Sequence, residues 1–404
     1  MSWIFTSALG LFILWQATEN FQRIYCERPE APSFNYALRI DSDTFVYSGN
    51  KMKQAGSWWF PPEYQHSVGM QVVMGWWFMA GGTNNFLPLK LIYLAIWFAA
   101  LALVGVAAGR ATGNPAVGML AAGLLSFSHL FSVYTATVQH EIILGFFGAA
   151  LVALSAKAPS RRSALMVGMI LAIAACFRIN YLVAAVVVGL GYATDRRGRE
   201  AGWSAYYLVG FFAVALPWNI AHSLHRGLFY FYDSYIFLVF RQHMNPNARA
   251  YNFPYTLPAE PHGFAFAIQY PGLYSRLLFE RVGLLFGVSP DVWFVESNWS
   301  QLLAFGLRLP VAAVREVTLL VGGLLFACGI SRVNGRSRII PMAILLAVVT
   351  PHFLVGASSR FLVPALPVIA FFQAWGLYAL YLGLRNFCEE LSRSIVRTRS
   401  SSGF

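Results

Sequence analysis

Long apolar runs separated by short cationic connectors set the pattern of this chain. The first run, Trp3–Thr18, gives way to a polar stretch from Glu19 to Gln65, rich in proline, arginine and acids. A shorter apolar stretch, Ser67–Ala80, is followed by Gly81-Gly82-Thr83-Asn84-Asn85. At about 1.5 Å per residue its 14 residues reach about 21 Å, less than the ~30 Å hydrocarbon core of a bilayer. It is expected as an interfacial helix, with Trp58, Trp59, Trp76 and Trp77 at headgroup level. A full span follows over about Phe86–Gly109 and stops at Arg110.

Cations then suggest a path. The connectors holding Arg110, Lys157 to Arg162, Asp195 to Arg199 and Ser331 to Arg338 are all basic, as is the tail after Arg385. Placing them all on the cytoplasmic side satisfies the positive-inside rule. The path then has about ten spans, both termini inside, and two long outside segments, about 20–85 and 223–310. The expected fold class is an all-α polytopic membrane protein of about 10 transmembrane helices, with interfacial helices in the first outside loop. Three parts follow: 1–222 with the outside loop 20–85, a second outside loop 223–310 with amphipathic helices, and 311–404 with the last spans and a basic tail.

Composition agrees. Of 404 residues, 57% are hydrophobic and 11% charged, and the mean hydropathy is +0.56. Those values exclude a disordered chain, an ordinary cytosolic enzyme and a coiled coil. The balance of 29 Lys+Arg against 17 Asp+Glu fits basic inner loops plus a few cations facing an anionic ligand. Cys26, Cys176, Cys328 and Cys388 show no disulfide or metal-ligand spacing. Met1 to Gln16 has no basic n-region and no clear cleavage site, and reads as a retained first helix.

One cation is out of place for a lipid-facing span. About 37 residues separate Lys157 from Asp195, and they must hold two helices and a turn at Phe177-Arg178-Ile179-Asn180. A central charge facing lipid costs roughly 2.5–3.5 kcal/mol. Two short helices meeting at Arg178 suit a cavity that is open to the outside and floored by that arginine. Snorkelling to the interface is the competing reading.

Acids are few, so each is informative. Asp41 and Asp43 lie in Arg39-Ile40-Asp41-Ser42-Asp43-Thr44-Phe45 after the first span. Asp43 is placed to cap a short helix over Thr44–Ala55 that ends at Gly56, whereas Asp41 has no such structural task. Glu141 opens the fourth span beside His140, where a helix-start acid also suits the macrodipole. Arg178, Arg226, Arg241 and Arg360 are the basic candidates; a guanidinium fork matches two phosphate oxygens and keeps its charge. His66, His129 and His140 with an acid have the chemistry to ligate a metal, but they read as polar lining and no metal or other cofactor is expected. Walker A, GxGxxG, HExxH and GxSxG signatures are not found.

Together these residues resemble the GT-C superfamily of membrane glycosyltransferases, in particular the branch with lipid A aminoarabinose transferases and protein O-mannosyltransferases. That family carries an Asp-x-x-x-Tyr/Phe motif after its first span with a Gly eleven residues beyond, matched by Asp41, Phe45 and Gly56. The register Asp43 to Tyr47 keeps the step but loses the glycine. Glu141 matches a second acid opening the fourth span, and Arg178 a cation between two short helices. Pro217-Trp218-Asn219 with Gly227 and Arg360-Phe361-x-x-Pro364-x-x-Pro367 match two further elements. Ser42 replaces the usual acid beside the first Asp, and the His-Pro-Pro element survives only as Pro61-Pro62 with His66 downstream.

The resemblance implies an inverting transferase that moves a sugar from a polyprenyl-phosphate donor to a lipid, glycan or protein acceptor. It would sit in the cell envelope, in a bacterial inner membrane, with its site facing the periplasm or exterior. On that reading Asp41, or Asp43, is the base and Glu141 a second acid; Arg178 and Arg360 meet the phosphate, with His66 and His140 on the substrate. A transporter or flippase for lipid-linked glycans, or a polymerase of them, is the alternative. No internal repeat supports the transporter.

Overall fold

The computed structural model describes residues 3–26, 36–58, 68–157, 160–195, 202–226, 268–285, 311–333, 336–355 and 359–401. Among these the regular structure is helical, and no strand occurs. The elements are α1 (Trp3–Cys26), α2 (Tyr36–Gln54), α3 (Val68–Met79), α4 (Leu87–Thr112), α5 (Pro115–Ser126) and α6 (His129–Val133). They are followed by α7 (Glu141–Ser155), α8 (Arg161–Phe177), α9 (Tyr181–Thr194) and α10 (Trp203–Arg226). After these come α11 (Pro271–Leu285), α12 (Val311–Arg332), α13 (Arg336–Val355), a 3-10 turn (Ser359–Ala365) and α14 (Leu366–Ser401).

Three helical stretches, Leu87–Thr112, Trp203–Leu224 and Leu362–Arg393, are long and apolar enough to cross a membrane. Shorter apolar helices include Pro115–Ser126, Glu141–Ser155 and Tyr181–Thr194. Most of the proposed second outside loop, 223–310, lies outside the described residues; within it stands α11.

Local chemistry explains the boundaries that matter for the site. α4 has Pro88 in its first turn and stops where Gly113 takes φ +67°, a conformation glycine adopts without a Cβ penalty. Asn114 then caps α5 by accepting from the Ala116 N–H, with Pro115 at the first helical position. Ser160 and Ser163 form a reciprocal capping box that starts α8. The span expected over Phe86–Gly109 is therefore present as α4, and the turn expected at Arg178 separates α8 from α9.

Two expectations change. α1 continues through the polar residues Glu19 to Cys26 rather than ending at Thr18. α2 begins at Tyr36, so Asp43 lies inside a helix and is not its N-cap; the helix still ends before Gly56, at φ +61°.

Close packing rests on small residues. Gly105 and Gly118 face each other across α4 and α5, Gly168 and Gly210 seam α8 to α10, and Gly329 and Gly376 seam α12 to α14. At Gly210 a Cβ would run into the Leu165 carbonyl, and at Gly168 into the Tyr207 carbonyl. Such contacts let helix backbones approach closely. Backbone cannot move aside as a side chain can. Gly210→Leu is therefore expected to destabilise by ~1–3 kcal/mol or more, read as a lower Tm of the detergent-solubilised protein. Gly10, with nothing within 4 Å of an added Cβ, tolerates alanine with an unchanged Tm.

Candidate active site

The charged cluster is built from helix ends. Arg178 follows the last residue of α8, and its backbone N–H donates to the Ala174 carbonyl. Its Nη2 donates to Glu141 Oε1 at 2.9 Å and its Nε to His140 Nε2 at 2.9 Å. Glu141 is 1% exposed at its side chain and Arg178 13%. His140 and Glu141 stand at the start of α7, so one guanidinium joins the α8–α9 turn to the first turn of α7. The arginine points into a buried carboxylate and imidazole.

The Asp-x-x-x-Phe segment meets the same cluster. Phe45 of α2 is 1% exposed, and its ring meets the His140 ring edge-on at 5.7 Å. Asp43 is exposed. Asp41 occupies the α2 position one turn before Phe45; its side chain lies outside the described residues, as do those of Arg360 and His129. His66 and Arg241 lie wholly outside them, and the Arg226 side chain does too. Arg360 belongs to the Ser359–Ala365 turn, which packs on α7: a Cβ at Gly148 would strike the Pro364 carbonyl.

Sequence reading passed over Lys90. This lysine lies in the first turn of α4 and is 2% exposed. Tyr93, one turn along, lies close enough to feel the Glu141 charge, and its hydroxyl donates to Met70 Sδ of α3 at 3.6 Å. At Gly69 of α3 an added Cβ would come 2.8 Å from the Cys176 carbonyl, so α3 abuts the end of α8 beside Arg178. The available signal was a lone cation in an otherwise apolar run. His222 is also fully buried, with its ring 4.8 Å from Trp218. Trp218 in turn packs on Met52 and Val72.

Depth follows from helix arithmetic. Tyr93, Glu141 and Arg178 each lie about 25 Å along their helices from the basic connectors at Arg110, Lys157 and Arg161. The cluster thus occupies one level, at the end of the bundle opposite those connectors. An apolar cavity of about 710 Å³ lies between α5, α12, α13 and α14, with Leu124, Phe326, Leu345 and Ile369 in its wall. Its polar lining includes Ser128, Thr350 and Gln373, and Leu362 of the Arg360-bearing turn closes part of it. Among the described residues, no group of three His, Cys, Asp or Glu side chains is arranged to hold a metal.

Removing one partner of a buried ion pair leaves the other charge uncompensated, at about 3–5 kcal/mol. Arg178→Met is expected to lower Tm accordingly, and Arg178→Met with Glu141→Leu to restore part of the loss. Differential scanning fluorimetry of the single and double variants checks this; a double variant no better than the sum of its parts would refute the pairing. Comparison with known family models, curated proteins and solved structures gives no match to this chain.

Proposed function

We propose that this protein is an integral-membrane glycosyltransferase of the GT-C type, with about ten spans, acting at the outer face of a cell-envelope membrane. It moves a sugar from a polyprenyl-phosphate donor to a lipid, glycan or protein acceptor, with inversion at the anomeric carbon. One observation carries the reading: Phe45 of the Asp41-x-x-x-Phe45 segment packs on His140, which shares Arg178 with Glu141. Residues far apart in sequence thus meet at one level of the bundle.

Helical register favours Asp41 as the base. It shares the Phe45 face of α2, whereas Asp43, two residues before Phe45, falls on the opposite face and is exposed. In the reaction the acceptor hydroxyl gives its proton to that carboxylate while its oxygen bonds to the anomeric carbon. The bond from that carbon to the phosphate oxygen breaks through an oxocarbenium-like state, and its electron pair stays on the phosphate. Arg178 and Arg360 meet the added charge, and Lys90, one turn before Tyr93 on α4, contributes a third cation. Glu141 is buried against Arg178, so it serves as a positioning residue that aims the guanidinium. His140 holds Nε of the same arginine. The apolar cavity beside the Arg360-bearing turn suits the isoprenoid chain of the donor.

The test is release of polyprenyl phosphate from a radiolabelled polyprenyl-phosphate sugar by purified protein given a membrane-lipid acceptor extract. Asp41→Asn is expected to lower release by at least about 100-fold, with Asp43→Asn within a factor of about three of wild type. Full activity in Asp41→Asn would sink the base assignment. Tight lipid binding without release, across several donor sugars, would favour the transporter.

A further inference from the structure

α14 is longer than a membrane span. Its 36 residues reach about 54 Å, and about 20 of them suffice to cross the hydrocarbon core. Counted from Leu366, the crossing ends near Arg385. Every residue from Leu380 to Arg393 is exposed, clear of the described bundle. Leu380, Leu384, Phe387 and Leu391 recur at helical spacing, with exposures of 48, 66, 63 and 50%, and Ile395 continues the series in sequence. The apolar stripe that runs down the outside of the span therefore carries on past its end.

The other positions include four arginines. Arg385, Arg393, Arg397 and Arg399 stand against Glu389 and Glu390, a net +2 over this stretch. Glu389 is already engaged by Arg385 Nε at 2.8 Å on the polar face, and Arg393 beyond it is exposed. An apolar stripe beside arginines is the composition of a helix that lies in an anionic lipid interface. A second copy of α14 fits less well. In the heptad register set by Leu384, Phe387 and Leu391 the next core position is Ser394. The flanking positions hold Cys388, Glu390, Ile395 and Arg397, and in a parallel dimer Glu390 would face Ile395 rather than an opposite charge.

We propose that the end of α14, from about Arg385 to Ser401, docks on the anionic lipid headgroups of the leaflet where the basic connectors emerge. The helix turns onto the surface near Gly383, where nothing lies within 4 Å of an added Cβ. Phe387 and Leu391 enter the interface, and the arginines meet lipid phosphates. The inference rests on the membrane reading of the chain but not on the transferase chemistry.

Cys388, exposed at the edge of the stripe, is the native reporter. The full chain, with Cys26, Cys176 and Cys328 replaced by alanine, is labelled there with bimane in nanodiscs of phosphatidylcholine with or without phosphatidylglycerol. Bimane is expected to be quenched by brominated acyl chains and shielded from aqueous iodide when phosphatidylglycerol is present. Arg393→Glu with Arg397→Glu and Arg399→Glu is expected to cut lipid quenching at least about threefold without moving Tm. A second label at Leu216→Cys, on the exposed face of α10, reports the span itself. Lipid quenching at Leu216→Cys with open iodide access at Cys388 overturns the docking alone; iodide access at both overturns the membrane reading as well. Cross-linking of Cys388 between copies, indifferent to lipid charge, overturns the proposal in favour of a second copy.

Discussion

The ion pair between Arg178 and Glu141 decides the shape of the middle of this protein. An isolated guanidinium at this burial loses several kcal/mol of hydration, which only a near and well-aligned partner offsets. Glu141 supplies it at 2.9 Å, and His140 accepts from the remaining edge of the fork. To bring these groups together, α8 must stop at Phe177 and α7 must start at Glu141. Hence the short helices: a longer α7 or α8 would carry one partner past the other. His140, which accepts from Arg178, also packs against Phe45 of α2 with the two rings edge to face.

Around this centre the bundle is held by contact rather than by charge. Glycines on both members of three helix pairs bring backbones together, which replaces lipid contacts with closer protein ones. α3 abuts the end of α8 at Cys176 and touches Tyr93 through Met70. Lys90 is buried in the first turn of α4, one turn before Tyr93. The rigid seams and the charged level thus depend on each other, since a polar cluster with loose walls would admit water and lose its pairing.

Much of the fold was legible in the sequence, because helix ends are written locally. Arg110, Gly113 and Asn114 mark the end of one helix and the start of the next within a few residues, and Phe177 to Asn180 mark a turn by placing a charge where lipid forbids it. The choice of partner for that charge was not legible. Arg178 and Glu141 are 37 residues apart, and nothing in either neighbourhood names the other. Glu141 was singled out for its acidity and Arg178 for its misplacement; their union is a property of packing. Asp43 misled for the opposite reason. An acid before an apolar run reads as a cap, yet Phe45 and Ser48 bury their side of α2 and carry the helix back to Tyr36. Lys90 was missed because a single lysine near the mouth of a span reads as an interfacial anchor.

In the transferase reading, charge balance explains why such a cluster serves catalysis rather than mere attachment. A sugar phosphodiester carries one negative charge, and the departing lipid phosphate gains a second as the glycosidic bond breaks. In that reading Arg178, Lys90 and Arg360 set three positive charges against the carboxylates of Glu141 and Asp41, so one positive charge remains in excess. A site neutral overall would bind the donor and the departing phosphate about equally. A site with surplus positive charge, fixed in place and shielded from water, favours the more highly charged state, and only that difference accelerates the reaction. Glu141 thereby limits the excess. It holds Arg178 in one orientation and keeps the pocket from binding the product phosphate so tightly that release would limit turnover.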